Sequence, residues 1–374
     1  MKEIQNHLVM VLVVIFVVTC VFQLIHYLFF YLRFVLNVSK PVKHETQPVS
    51  VIICARNEVM NLKKNIHAIL DQDYPAFEVV VVNDCSWDES GMFLDEMQKK
   101  YPQLKVVTIQ EQEKYRHAKK FALTLGIKAA SHEVLLFTDA DCMPAGNKWL
   151  SSMQHHFDKK SEIVLGYGAY KKETGFLNKL IRYDALMIAV QYFSFALAGN
   201  AYMGVGRNLA YRKSLFFRTK GFARHYHLLS GDDDLFVNEN ATSQNTAIET
   251  DPSSFTYSDP ARTFSEWYVQ KRRHMSTGRF YKFKHQLILF LNSSSGLLFY
   301  LSMIALLILR FDWRIILSLY TIKILIEFPI LYFSSKKLRS IDLVWLFPIL
   351  EFLNAVFQSF FFLSNLVTKQ KPWK

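Results

Sequence analysis

Residues 8–32 read LVMVLVVIFVVTCVFQLIHYLFFYL, almost unbroken hydrocarbon. At about 1.5 Å per residue, a helix of this length crosses the roughly 30 Å hydrocarbon core of a bilayer with some tilt. A secretory signal would carry a shorter apolar region, about 7–15 residues, ending at a small-residue cleavage site. Here bulky residues run on to Tyr31 and Leu32, so the segment reads as an uncleaved anchor. Three more apolar blocks, about 286–309, 315–333 and 341–367, fill the C-terminal part. The first contains Asn292-Ser293-Ser294-Ser295-Gly296 and reads as an interfacial start to a span. The last carries Pro348 and Glu351 near its centre and reads as kinked or re-entrant. Lys323, Glu327 and Glu351 fall at membrane depth, where ionisable groups are costly and face a bundle interior or cavity. A polar path and a helix-holding Lys–Glu pair both fit them.

Charge narrows the class further. The net charge is +12, but it is local. Residues 262–284 hold +6, Lys336, Lys337 and Arg339 add three, and Lys369, Lys371 and Lys374 add three more. The rest is neutral, unlike a nucleic-acid-coating protein with basic charge spread over a face. With 51% hydrophobic residues the chain is too apolar for disorder. The four cysteines are scattered and form no CxxC, which suits a reducing compartment rather than a disulfide scaffold. Arg33, Lys40 and Lys43 follow the first span, Lys282 and Lys284 precede the second, and Lys336, Lys337 and Arg339 follow the third. The positive-inside rule then places the central domain in the cytoplasm. Four full spans would put the tail 368–374 outside, and a re-entrant last block would keep it inside.

Three parts result: an anchor and linker over 1–47, a soluble domain over 48–284, and membrane helices over 285–374. Within the soluble domain, VSVIIC (49–54), FEVVVVND (77–84), LKVVTI (104–109) and EVLLFTDAD (133–141) read as strands. Helical patterns at 59–71, through 98 and at 119–130 separate them. Continuous β-branched runs alternating with helices indicate a largely parallel α/β sheet covered on both faces. Residues 176–198 read as an apolar-rich helix, either at the membrane interface or in the core.

Ligands of open α/β sheets bind at the carboxyl ends of strands. The first strand ends in Cys54-Ala55-Arg56-Asn57-Glu58, the second in Asn83-Asp84-Cys85-Ser86 and the fourth in Thr138-Asp139-Ala140-Asp141. CARNEV has no glycine, so the GxGxxG needed for a dinucleotide pyrophosphate is missing. If the fourth strand runs on to Asp141, Asp139 and Asp141 lie on one side of it and can share a metal. Mg²⁺ and Mn²⁺ take such oxygen ligands together with substrate phosphates. Downstream, Gly231-Asp232-Asp233-Asp234 clusters three acids. Like-charge repulsion there raises at least one pKa, as a general base needs; an acidic helix N-terminus suited to its dipole is the plainer explanation. The adjacent histidines His155 and His156, and likewise His225 and His227, read as surface or loop residues rather than a transition-metal site.

The succession VSVIICARNE, VVVVNDCS, HAKKFAL and LLFTDAD resembles family 2 glycosyltransferases of the GT-A fold, in particular the membrane-embedded branch with the hyaluronan, chitin and cellulose synthases. The resemblance implies that Ala55, Arg56 and Glu58 line the nucleoside pocket and that Asp84 bonds the base or ribose. It implies Lys119 at the diphosphate, Asp139 near the ribose or metal, and Asp141 as metal ligand. It places the general base at Asp233, with Asp232 as substitute. Gln270-Lys271-Arg272-Arg273-His274 is similar to the family's QxxRW string, with His274 in place of Trp. Gln270 and Arg273 are then substrate-binding residues, Arg273 neutralising the leaving diphosphate, and the missing Trp speaks against polymerisation. Asn208, in Gly204-Val205-Gly206-Arg207-Asn208, is the acceptor-side residue. Taken together, the resemblance implies an inverting enzyme of cell-envelope glycan synthesis, using Mg²⁺ or Mn²⁺, anchored in a bacterial inner membrane with its active site in the cytoplasm. Its partners would be a nucleotide-sugar donor (a UDP-sugar ahead of a GDP-sugar), a lipid-linked or saccharide acceptor and membrane lipids, with no nucleic acid. The alternative is a non-catalytic nucleotide-sugar-binding subunit of a polysaccharide synthesis or export assembly.

Overall fold

The computed structural model describes residues 2–38, 46–110 and 119–367. The chain begins with helix α1 (Lys2–His26), a π turn (Tyr27–Tyr31) and α2 (Leu32–Leu36). The sheet domain follows as β1 (Val49–Ala55), α3 (Val59–Leu70), β2 (Phe77–Asp84), α4 (Ser90–Lys100), β3 (Leu104–Ile109), α5 (Lys119–Ala129) and β4 (Val134–Phe137). Its second half contains β5 (Cys142–Pro144), α6 (Trp149–Gln154), β6 (Ile163–Leu165), β7 (Gly168–Tyr170), α7 (Phe176–Leu197), β8 (Leu209–Arg212) and α8 (Lys213–Arg218). Then come α9 (Asp234–Asn240), β9 (Thr246–Ile248), β10 (Thr256–Ser258) and α10 (Phe264–Met275). Helices α11 (Phe283–Ile308), α12 (Trp313–Lys337), a 3₁₀ turn (Ile341–Leu346) and α13 (Phe347–Val367) close the chain.

The main sheet has the order β3-β2-β1-β4-β8-β6-β9, and β5-β10-β7 form a smaller one. β1 pairs in parallel with both β2 and β4, placing Ile52 opposite Val80 on one side and Phe137 on the other. Strand order reverses at β1, so the crevice for a ligand opens beyond the ends of β1 and β4. Every residue of β1 is buried. Its alternation divides the core: Val51 and Ile53 pack with Leu62, Ile66 and Ile69 of α3, whereas Ile52 and Cys54 join a cluster with α5 and α7. Each such aliphatic side chain contributes about 1.5–3 kcal/mol. Gly126 lets α5 lie against the sheet, since a Cβ there would sit 2.9 Å from methyls of Ile52 and Val82. That close approach sets the height at which Lys119, in the first turn of α5, meets the strand ends.

The second cluster continues without a break into Tyr27, Phe30 and Phe34 at the end of the first apolar helix and into Leu331 and Phe347. Phe30 stacks on Phe195 at 4.3 Å and Phe34 on Phe193 at 5.5 Å. Among the described residues, five helices are long and apolar enough to cross a membrane. α7 is one of them, but 72% of its apolar window is buried, against 17–28% for the other four. α7 is therefore a core helix and not a surface-lying one.

Two C-terminal expectations change. The stretch Asn292–Gly296 lies inside one continuous helix, α11. Its polar atoms face α1, where Gln23 Nε2 donates to Asn292 O (3.0 Å) and Ser295 Oγ (2.5 Å). Pro348 stands in the first turn of α13 and kinks nothing; the proline within a helix is Pro329 of α12. Lys323 bridges Glu327 (2.5 Å) and Glu351 (2.6 Å), and Tyr300 donates to Glu351. Of the two uses weighed for these ions, the contacts show the helix-holding one. α13 also touches the sheet domain at both ends. Asp342 just before it binds Arg182 of α7, and Asn365 near its end binds Arg272 of α10.

Candidate active site

The β1–α3 and β2–α4 loops form one stitched unit at the switch point. Asn57 (φ 56°) and Cys85 (φ 51°) take left-handed conformations, which non-glycine residues adopt at a cost and often near functional sites. The Asn57 amide donates to Ser86 Oγ (3.0 Å), the Trp87 amide to Asn57 Oδ1 (2.9 Å) and the Val59 amide to Asp88 Oδ2 (3.1 Å). Ala55 and Asp84 are buried at the strand ends. Arg56 keeps Nε and Nη1 buried without a hydrogen-bond partner among the described residues, an arrangement that favours an incoming acceptor. Glu58 accepts from Asn61 Nδ2 at 2.6 Å. Burial, with Asp141 and Asp139 nearby, raises its carboxyl above the ordinary range.

β4 stops at Phe137, four residues short of the expected end, so Asp139 and Asp141 do not share a strand face. They are brought together by a turn closed from the Cys142 amide to Asp139 O (3.0 Å) and held by Asn65 Nδ2 on Ala140 O (3.0 Å). Donor atoms of Asp139, Asp141 and Cys142 lie within 4.8 Å of one another. The two carboxylates are the hard oxygen donors that Mg²⁺ or Mn²⁺ prefers. The Cys142 thiol is a poor third ligand, because burial and the two aspartates push its pKa far up. Burial and the charge of Asp139 raise the pKa of Asp141. For Asp139, burial is outweighed by Lys119, Arg207 and Arg273, and its pKa falls. Two adjacent carboxylates of which one resists ionisation fit a divalent cation.

Lys119 Nζ sits 2.7 Å from Asp139 Oδ1 and 3.4 Å from Asp232 Oδ2. Burial opposes its charge, but these carboxylates hold its pKa well above the ordinary value. Lys119, Asp139, Asp232 and Asp233 line one cleft together with Cys54, Thr138 and Gly206. Asp233 accepts the Gly206 amide on Oδ2 (2.7 Å) and caps α9 through the Asp234 amide on Oδ1 (2.8 Å). Burial, then Asp232 and Asp234, push its pKa up to about 7, against the pull of Lys119. Both readings of the acid run thus meet in Asp233, a helix cap that also faces the cleft. Asp234 serves elsewhere, accepting from Thr277 Oγ1 and from Tyr281 OH (2.7 Å) and so tying α9 to the segment after α10. Gly231, at φ 95°, makes the bend before the run.

α10 starts with a reciprocal cap: the Glu266 amide donates to Thr263 Oγ1, and Glu266 accepts the Arg262 amide. Lys271 is buried against Asp184 of α7 (2.8 Å), so it is no ligand for lipid headgroups. Arg272 Nε donates to Asn365 Oδ1 (3.1 Å). Arg273 acts on Asp139 through its charge, and Gln270 keeps Oε1 buried without a partner among the described residues. The His274 imidazole is held well below its ordinary pKa by its enclosure and by Arg273, Lys271 and Arg207.

Asn208 is displaced from its expected role. It is fully buried, accepts from Trp149 Nε1 (3.0 Å) and donates to Tyr167 O and Ser254 O, so the fold consumes its whole amide. Its neighbour Arg207, which sequence reasoning passed over, lies over the Tyr170 ring at 4.3 Å, donates to Ser258 Oγ (2.8 Å) and lowers the pKa of Asp139. The glycine-flanked GVGRN string was the available signal. His155 and His156 are not loose surface groups either. Their Nε2 atoms lie 3.5 and 2.9 Å from Oε2 of fully buried Glu249. His117 and Ala118 of the HAKK string, Lys40, Lys43 and the tail 368–374 lie outside the described residues.

This is an α/β domain of GT-A type, with an acid pair at a strand end and apolar helices on either flank. Residues 50–218 match the family model described as Glycosyl transferase family 2. Glycosyltransferase AglE of Haloferax volcanii is 34% identical over 104 residues, 27% of this chain and 33% of that protein. A Poly-beta-1,6-N-acetyl-D-glucosamine synthase of Staphylococcus epidermidis is 30% identical over 102 residues, 27% of this chain and 24% of the synthase. The chain thus spans only a quarter to a third of the length of these curated relatives. Among solved structures, the mannosyltransferase PcManGT of Pyrobaculum calidifontis, in complex with GDP-Man and Mn²⁺, covers 96% of this chain and 100% of its own at TM-score 0.60 and 18% identity, a likeness of fold.

Proposed function

We propose that the chain is a membrane-bound inverting glycosyltransferase of cell-envelope glycan synthesis. Its catalytic domain (48–284) faces the cytoplasm between an anchor (1–47) and C-terminal helices (285–374). The observation that carries this reading is Asp233, a cleft carboxylate with its pKa pushed up to about 7 beside Asp232, Lys119 and Asp139. A merely binding subunit has no use for such a base.

In this reading, Ala55, Arg56, Glu58 and Asp84 hold the nucleoside of a UDP- or GDP-sugar. Asp233 takes the proton of an acceptor hydroxyl, whose oxygen attacks the anomeric carbon while the bond to the nucleoside diphosphate breaks. Lys119 and Arg273 receive the departing diphosphate, acting where charge develops. Asp139 and Asp141 would hold Mg²⁺ or Mn²⁺, which supplies further positive charge at the diphosphate when bound. The Mn²⁺ and GDP-Man bound by PcManGT support a divalent cation and a nucleotide-sugar donor, and a polysaccharide synthase among the relatives supports an envelope glycan as product. His274 in the place of Trp favours limited transfer. The test is a screen of UDP- and GDP-sugars with the purified full-length protein and membrane extracts as acceptor source. Sugar transfer that Asp233→Asn abolishes supports the proposal, and transfer unaffected by that change overturns it.

A further inference from the structure

A cavity of about 340 Å³ lies where the sheet domain meets the connection from α12 to the Ile341–Leu346 turn. Tyr170, Lys172 and Tyr257 line it from the domain, Arg339 and Asp342 from the connection, and Arg182 of α7 joins the two. None of these residues lines the acid-bearing cleft. The volume falls within the range of about 300–1,000 Å³ typical of small-ligand sites.

Its charges are not balanced. Arg182, buried at 5% exposure, grips Asp342 with two parallel hydrogen bonds of 2.8 Å. That fork fixes the floor. Lys172 stands 3.3 Å from the same carboxylate but is 68% exposed. Arg339 is exposed and makes no ion pair among the described residues. Its left-handed backbone (φ 54°) ends α12, where the Ser340 amide donates to Ser335 O (2.8 Å).

Location supplies the chemistry of the ligand. Arg339 follows directly on α12, whose Lys337 is bound to the end of the N-terminal apolar helix through Phe34 O. The cavity therefore sits where apolar helices meet the polar domain, the level of lipid headgroups. Basic pockets at that level suit anionic headgroups, and a guanidinium with a free fork suits phosphate.

We propose that this cavity is a second binding site, taking the phosphate of an anionic lipid on Lys172 and Arg339 above the Arg182–Asp342 floor. The inference rests on the membrane placement proposed above and not on the transfer chemistry. The phosphate can come from a bilayer phospholipid or from the polyprenyl carrier of a saccharide whose hydroxyl is the acceptor. The full-length protein is reconstituted with phosphatidylcholine, phosphatidylglycerol or a polyprenyl phosphate, released gently, and its retained lipid counted by native mass spectrometry. Wild type retains phosphatidylglycerol or polyprenyl phosphate over phosphatidylcholine, and Lys172→Ala with Arg339→Ala weakens that retention about tenfold or more. Lys172→Arg with Arg339→Lys keeps most of it. Polyprenyl phosphate displacing phosphatidylglycerol assigns the site to a carrier lipid, and the reverse assigns it to a structural lipid. Equal retention by wild type and the double alanine variant, or no preference over phosphatidylcholine, overturns the proposal. Binding of UDP and GDP by the same preparations distinguishes a lost lipid site from a lost fold. If the double variant does not fold, Arg339→Gln alone carries the comparison.

Discussion

Lys119 Nζ lies 2.7 Å from Asp139 Oδ1, and the same ammonium is 3.4 Å from Asp232. One cation thus joins the strand-end acids, on the donor side of the proposed reaction, to the run that holds the proposed base. Lys119 also pulls the pKa of Asp233 downward. Removing it with Lys119→Met raises that pKa, and a base works only when deprotonated. The acid limb of the kcat/KM profile is expected to move to higher pH, alongside weaker nucleotide binding. A pH–rate series on wild type and variant checks both; an unmoved limb removes Lys119 from the electrostatics of the base.

Asp233→Asn keeps Oδ1 to cap the Asp234 amide but puts an NH2 donor where Oδ2 accepts the Gly206 amide; with that one bond lost, at a cost of about 1–3 kcal/mol, the fold is expected to survive. Transfer should fall by about 10²–10⁴-fold, the usual contribution of a general base, with nucleotide binding unchanged in calorimetry.

The same substitution has a stability signature. A carboxyl whose folded pKa is raised to about 7 binds its proton more tightly folded than unfolded, where the value is about 3.9. Stability is thus lost as pH climbs from about 4 through 7, because the folded state must then bury a charge. Asp233→Asn escapes that loss. Between about pH 4 and about pH 8 the variant is expected to gain about 1–2 kcal/mol on wild type, after allowance for solvent and for coupling to Asp232 and Asp234. At about pH 4 the variant should melt below wild type, because its Gly206 amide has lost an acceptor. Thermal melts across that pH range measure the difference.

Asp139→Asn and Asp141→Asn address the cation. Each is expected to abolish the part of UDP or GDP affinity that depends on Mn²⁺ or Mg²⁺, leaving the metal-independent part. Titration calorimetry with and without chelator reads this directly. Asp141 should be the more sensitive position, because Asp139 retains Lys119 as a partner.

Lys271 and Asp184 form a buried pair that Gln358 of α13 also joins. Lys271→Met alone leaves a buried carboxylate without its cation and is expected to cost about 3–5 kcal/mol. Lys271→Met with Asp184→Leu should recover most of it. Chemical denaturation of the solubilised protein gives the cycle.

The strands of the sheet were legible because VSVIIC and FEVVVV bury both faces, and a run of β-branched residues announces that locally. The acid pair was legible by composition but not by geometry. β4 ends at Phe137 because Thr138 and Asp139 leave the ladder for a turn anchored by Asn65, more than 70 residues earlier. Asn208 was misjudged for a related reason: its amide is spent on Trp149, Tyr167 and Ser254, partners that no local window contains. For α13, hydropathy registers length and not contacts. The bonds Arg182–Asp342 and Arg272–Asn365 are what hold both its ends beside the domain.

The aromatic seam of Phe30, Phe34, Phe193 and Phe195 has a consequence for how such an enzyme would meet its substrates. A catalytic domain on a loose tether samples many heights and tilts above a membrane, and only some of them bring its mouth to a lipid. Here the sheet face and the inner ends of the apolar helices share one core, so tilting the domain would mean opening that core. The cleft is thereby kept at a fixed altitude. For the proposed lipid-borne acceptor, the search would become a two-dimensional one, in which the partner diffuses sideways into a mouth already at its level.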